Sequence, residues 1–117
     1  MGIISILLLA VIAVLHYAIF LVEAFLWTHR IGIHAFRLEK DFAVRTRVLA
    51  LNQGLYNAFL ASGIVYAIWQ NSFAWAVFFA VCVFLAGIVG GFSSNKKILI
   101  VQSFPAALAL TALFLQC

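Results

Sequence analysis

Residues 3–27 of the chain read IISILLLAVIAVLHYAIFLVEAFLW. A helix needs about 20 mostly apolar residues to cross a hydrocarbon core of about 30 Å, and this run is long enough. Three further apolar runs follow, at residues 48–69, 73–91 and 98–115. Barrel strands alternate apolar and polar residues, which these runs do not, and the backbone of a span must hydrogen-bond within itself. The sequence therefore predicts an all-α integral membrane four-helix bundle, with residues 1–117 as one transmembrane domain.

The composition supports this prediction. Of the 117 residues, 68% are hydrophobic and 9% are charged, and the mean hydropathy is +1.21. Ordinary soluble domains are about 45–50% apolar and about 25% charged. A chain this short could not bury so much apolar surface inside itself. A soluble enzyme and a disordered tail are both excluded.

The basic residues predict the orientation in the membrane. Five of the seven lie between the first two predicted helices, and Lys96 and Lys97 lie between the last two. The connection between the second and third helices carries no charge. Because basic connections stay on the cytoplasmic side, we expect both termini on the outer side of a multi-pass protein of the cytoplasmic membrane. We expect these loops to contact membrane lipid, and we expect no nucleic-acid partner.

Three local features carry structural predictions. In the first connection, residues 31, 35, 38 and 42 are apolar at helical spacing, which fits either a short helix in the headgroup layer or a plain basic loop. Gly87 and Gly91 form a pair of small residues that favours close packing within the bundle. Pro105 frees the carbonyl of Val101 and predicts a kink in the fourth helix. Cys82 and Cys117 are too far apart along the predicted spans for a disulfide.

Polar residues within the predicted spans concentrate at one depth. Counted from the cytoplasmic helix ends at about 1.5 Å per residue, three helices contribute polar groups within the inner half of the membrane. Such groups are costly in lipid and usually face the interior of a bundle. We therefore predict a polar pocket that opens toward the cytoplasm. Its ligand-binding candidates are Glu23, Asn52, Gln53, Tyr56, Asn57, Lys97 and Gln102, with His16, Trp27 and Arg47 as secondary candidates.

Glu23 is the only acidic residue in a predicted span. A basic partner would stabilise its charge, and Lys97 and Arg47 are within reach. A structural ion pair and a ligand or proton site are both open interpretations. His16, near the midplane, is better explained by a hydrogen bond between helices than by catalysis. No metal-ligand spacing, phosphate loop or nucleophile motif is present, so no metal site, cofactor or catalytic residue is predicted.

The residues around this predicted pocket resemble a known family. His16, Glu23 and Trp27, the run VLALNQGLYNAFLA at residues 48–61, and the closing residues around Gln102 and Pro105 are similar to the bacterial membrane family catalogued as domain of unknown function 1304. The resemblance covers essentially the whole chain. It implies a four-helix integral protein of the bacterial inner membrane with no established activity.

A second resemblance is confined to the second helix. Arg47, Asn52 and Gln53, followed by residues 59–61, are similar to the MAPEG membrane proteins, which include microsomal glutathione transferases. That resemblance implies trimers that bind glutathione or lipophilic ligands, with these three residues as ligand contacts. The chain departs from the pattern at Leu55, where an acidic residue is usual.

Three functions remain open from the sequence. The first is a protein that binds a small polar or amphiphilic, lipid-like molecule in the predicted pocket. The second is a MAPEG-like glutathione-dependent membrane enzyme. The third is a structural subunit of a membrane complex, in which the polar residues only fix packing. Homo-oligomer formation is an open partner prediction in all three.

Overall fold

The computed structural model describes residues 1–117, and all its regular structure is helical. The α-helices are α1 (Ile3–Phe25), α2 (Arg30–Phe36), α3 (Lys40–Arg45), α4 (Arg47–Trp69), α5 (Phe73–Ser93) and α6 (Phe104–Phe114). A π-helical segment, Leu99–Ser103, directly precedes α6. Helices α1, α4 and α5 are each long and apolar enough to cross a membrane. The all-α prediction is confirmed, and three of the four predicted spans reach spanning length as single α-helices.

The fourth apolar run forms a shorter helical segment, which begins as a π-helix and continues as an α-helix. Residues Leu99–Phe114 are helical throughout, but the first five of them are π-helical. Pro105 has no N–H to donate to the carbonyl four residues earlier. In addition, the N–H of Phe104 donates to the carbonyl of Leu99, five residues earlier, so the register is π-helical just before the proline. The sequence predicted a kink here, and the structure has a π-turn.

The connection between α1 and α4 contains two short helices. Helix α2 ends where Arg37 adopts a left-handed conformation with φ of 52°, and the N–H of Leu38 donates to the carbonyl of Ile33. This pattern closes the helix and leaves its last carbonyls paired. Of the two alternatives left open for this connection, the structure has the helical one, but as two short helices, and the apolar stripe across residues 31–42 is interrupted at Arg37.

The chain divides into two compact units, of which the first consists of residues Met1–Val14 and Leu60–Cys117. Its helices meet through small side chains. On α5 the buried positions are Ala76, Ala80, Val83, Gly87 and Gly91, and on α6 they are Ala106, Ala109, Ala112 and Leu113. A Cβ atom added to Gly87 would lie 2.6 Å from the backbone nitrogen of Ser103. The predicted use of the Gly87–Gly91 pair in packing within the chain is thus confirmed.

The second unit, Leu15–Phe59, contains the C-terminal half of α1, both short helices and the N-terminal half of α4. Here α1 and α4 approach at Gly54. A Cβ atom added to Gly54 would lie 3.1 Å from Cβ of Glu23 and 3.2 Å from the carbonyl oxygen of Phe20. This close approach brings the polar side chain one turn further along α4, Asn57, beside the same stretch of α1.

Candidate functional site

A buried polar pair joins α1 and α4 in the second unit. Glu23 is 1% exposed and Asn57 is 8% exposed. The Asn57 side-chain amide donates to Oε1 of Glu23 at 2.7 Å. The same nitrogen lies 3.2 Å from the backbone carbonyl oxygen of Gln53 and donates to it as well. The second contact holds the amide against its own helix, so the carboxylate of Glu23 meets a donor with a fixed position.

The second carboxylate oxygen of Glu23 is unsatisfied. Oε2 is buried and has no hydrogen-bond partner. A buried acceptor left without a donor costs about 1–3 kcal/mol, and the cost is larger for a charged group. Chemically, this oxygen can hold a proton or accept a hydrogen bond from a bound donor. It is one of two buried side-chain atoms on α1 without a hydrogen-bond partner, the other being Oγ of Ser5, and the only one on an acidic side chain.

The partner of Glu23 differs from the one expected. The sequence offered a basic residue, Arg47 or Lys97, whereas the structure supplies the neutral amide of Asn57. Arg47 is exposed at the first position of α4, ten residues before Asn57 and nearly three turns away along the helix. The described donor to Glu23 is therefore a neutral amide, and of the two interpretations left open above the ligand or proton site remains a prediction.

The structure places the remaining predicted site residues in three environments. On α4, Asn52, Gln53 and Tyr56 have exposed side chains. In the first unit, Lys97 is exposed after α5 and Gln102 is half-buried in the π-helical segment. His16, on α1, is fully buried. The structure therefore brings Glu23 and Asn57 together, while the role of the other predicted residues stays a prediction.

Trp27, a secondary candidate, links the end of α1 to the short helices. Its indole Nε1 donates to Oγ1 of Thr46 at 3.0 Å, and its ring packs on Phe36 with centroids 5.1 Å apart. The hydroxyl of Thr46 in turn donates to the carbonyl of Phe42 at 2.7 Å. These contacts join the end of α1 to the connection, and a part for Trp27 in the predicted site stays a prediction.

We expect Trp27→Phe to lower the free energy of unfolding by about 1 kcal/mol, the value of one ordinary hydrogen bond. The phenyl ring removes the donor and part of the ring surface, while its remaining ring can still pack on Phe36. Trp69→Phe is the matched control, because Trp69 is 77% exposed and its loss should change stability by less than about 0.5 kcal/mol. Equilibrium unfolding in detergent measures both variants. Equal losses would show that the bond to Thr46 contributes nothing.

Sequence reasoning missed three hydroxyl groups. Oγ1 of Thr46 accepts a hydrogen bond from the indole N–H of Trp27. Oγ of Ser103 donates to the carbonyl of Phe84 at 2.9 Å. Ser5 is fully buried on α1 and its Oγ has no hydrogen-bond partner. A lone serine or threonine in an apolar helix usually bonds its own preceding turn, as Thr111 does here. A serine or threonine bonds to a neighbouring helix only where it lies opposite that helix. A single sequence does not show which residues lie opposite each other.

The comparisons with known proteins agree with the sequence resemblance. The family described as "protein of unknown function (DUF1304)" matches residues 10–114. The chain is also similar to the uncharacterized protein YpaA of Lactococcus lactis subsp. lactis, strain IL1403. The two sequences are 30% identical over an aligned length of 118 residues. The alignment covers 97% of this chain and 99% of the relative. No solved structure matches the chain. With a match over most of its length, the chain belongs to the DUF1304 family of proteins of unknown function.

Proposed function

We propose that this chain is a multi-pass membrane protein that binds a small polar or amphiphilic molecule through Glu23. Three helices of spanning length and a basic connection between α1 and α4 support insertion with that connection in the cytoplasm. The observation that carries the ligand proposal is the buried Oε2 of Glu23, which has no donor. A ligand that supplies the donor would remove the cost of leaving this oxygen unsatisfied.

The chemistry of the pair selects a class of ligand. Oε1 already accepts from Asn57, so one acceptor position remains for the ligand. An ammonium group donates several hydrogen bonds and carries the charge opposite to that of a carboxylate. Most of the other residues of α1 and α4 are apolar, which suits an attached hydrocarbon chain. An amphiphilic primary amine is therefore the best first ligand class to test.

The test uses two probes with the same charge and the same chain length. Dodecylammonium has three N–H donors, whereas dodecyltrimethylammonium has none. We expect the purified protein to be stabilised by the first probe and not by the second, measured as the shift in thermal unfolding in a neutral detergent. At a ligand concentration of 100 times Kd, binding should contribute about 2.7 kcal/mol of stability.

Two variants test whether the stabilisation by dodecylammonium depends on Glu23. Glu23→Gln keeps the side-chain shape and removes the carboxylate, so it should abolish the stabilisation by dodecylammonium. Glu39→Gln removes an exposed carboxylate from the connection and should retain it. Equal stabilisation by both probes, or full stabilisation in Glu23→Gln, would contradict the proposal. In that case the polar pair is a packing contact, and native mass spectrometry of the purified protein should find no retained small molecule.

A further inference from the structure

Helix α4 has two opposite faces of different character. The buried face near its N-terminal end carries Ala50, Gly54 and Asn57. The opposite face carries Asn52, Tyr56 and Phe59, at spacings of four and three residues that place them in one stripe. We call these three residues the α4 stripe. The side chain of Tyr56 is 63% exposed and that of Phe59 is 56% exposed, with their rings 6.0 Å apart. The stripe is thus an outward-facing surface of this chain.

In a membrane, exposure of the α4 stripe to lipid would cost free energy. Asn52 and Tyr56 lie about 8 Å and about 14 Å from the start of α4, which is inside a hydrocarbon core of about 30 Å. Lipid chains offer neither donors nor acceptors to an amide or a phenol. This step depends on the membrane insertion proposed above and not on ligand binding. A protein surface that covers the stripe would satisfy both groups.

We propose that the α4 stripe is covered by the α4 stripe of a second copy of this chain. Copies inserted with the same orientation place each residue opposite its own equivalent, at the same depth. The stripe suits such pairing, because an amide and a phenol each donate and accept hydrogen bonds. It also carries no charge, so equivalent positions do not repel each other. Its chemistry is complementary to itself.

The Gly87–Gly91 pair, which is also suited to helix association, is already used within the chain. Close approach of membrane helices commonly relies on pairs of small residues. On α5, however, Gly87 packs against Ser103 and Gly91 packs against Leu99. These glycines cannot serve a second copy without leaving their present partners. The α4 stripe, in contrast to this pair, is exposed and free for contact between copies.

Cysteine cross-linking in native membranes tests the geometry. Replacing Cys82 and Cys117, both free thiols, by alanine and serine gives a background without cysteine. On it, Asn52→Cys and Phe59→Cys should form disulfide-linked dimers with a mild oxidant. Leu51→Cys is the control, because Leu51 is 47% exposed on the same helix but points about 100° away from Asn52. Equal cross-linking from all three positions, or cross-linking only to other proteins, would overturn the proposal.

Self-association in lipid vesicles tests the energetics. With donor- and acceptor-labelled copies, Asn52→Leu should lower the association constant about tenfold. Gln70→Leu removes an exposed amide just after α4 and should change it less than about twofold. An Asn52→Leu protein that associates as the wild type does would overturn the proposal. Extraction at alkaline pH is a separate readout: release of the wild-type chain from membranes would overturn the membrane placement itself, independently of pairing.

Discussion

Replacing Asn57 by leucine is expected to lower the free energy of unfolding by about 2–3 kcal/mol. The variant removes the donor to Oε1 of Glu23, while Oε2 already has no partner. The carboxyl group is then buried with neither oxygen hydrogen-bonded, and a lost hydrogen bond to a charged group costs about 1.5–3 kcal/mol. Unfolding of the purified protein in a mixed-micelle titration, followed by circular dichroism, measures the change.

A double-mutant cycle separates this mechanism from a simple packing defect. In the variant Glu23→Leu with Asn57→Leu both polar groups are gone, and replacing both partners by apolar groups of similar shape is close to neutral. We therefore expect the double variant to be more stable than Asn57→Leu alone, with a coupling energy of about 2 kcal/mol between the two positions. If the losses in free energy of unfolding of the two single variants simply add in the double variant, the hydrogen bond between Glu23 and Asn57 contributes nothing beyond packing.

Much of the fold follows from hydrophobicity alone. The predicted runs 3–27, 48–69 and 73–91 and the observed helices Ile3–Phe25, Arg47–Trp69 and Phe73–Ser93 differ by two residues or fewer at each end. A long apolar run leaves the backbone no partner except itself, which makes the helix the expected outcome. The fourth run was harder to predict, because hydrophobicity does not distinguish an α-helical from a π-helical turn, and residues Leu99–Ser103 are π-helical.

The candidate site was predictable only in part. Glu23 stood out as the only acid in an apolar run, and Asn57 as an amide at similar depth. Which of four polar residues on α4 faces Glu23 could not be predicted, since it depends on the rotation of the helix about its axis. The structure settles that rotation through Gly54, whose missing side chain lets α1 approach within 3.1 Å of its Cβ position. Asn52 and Tyr56 therefore lie on the far side of the helix.

That a neutral amide, and not a basic side chain, is the partner of Glu23 has a physical explanation. A buried ion pair must offset the cost of removing both charges from water, and that cost often exceeds the attraction. A neutral amide is cheaper to bury and still supplies a donor. Arg47 lies at the end of α4, where its side chain remains exposed. The carboxyl group of Glu23 thus has a neutral partner that is less costly to bury than a second charge.

Replacing Gly87 by leucine is expected to have the largest effect on the first unit, a loss of about 3 kcal/mol or more. A Cβ atom at this position would overlap Oγ of Ser103 and lie 2.6 Å from its backbone nitrogen and 2.9 Å from Cβ of Gln102. Overpacking of a well-filled core typically costs about 1–3 kcal/mol, and here a backbone atom is among the obstacles. Thermal unfolding in detergent measures the loss.

Two further variants show whether helix approach is the cause. Ala86→Leu adds the same bulk at the neighbouring, exposed position of α5 and should change stability by less than about 0.5 kcal/mol. Gly87→Ala combined with Ser103→Gly removes the hydroxyl that a new Cβ would meet, along with the bond from Ser103 to the carbonyl of Phe84. Because the backbone nitrogen of residue 103 remains in place, adding Ser103→Gly should not restore the stability that is lost when residue 87 gains a Cβ atom. Full restoration would mean that the obstacle is a side chain alone, and that α5 and the π-helical segment can separate at little cost.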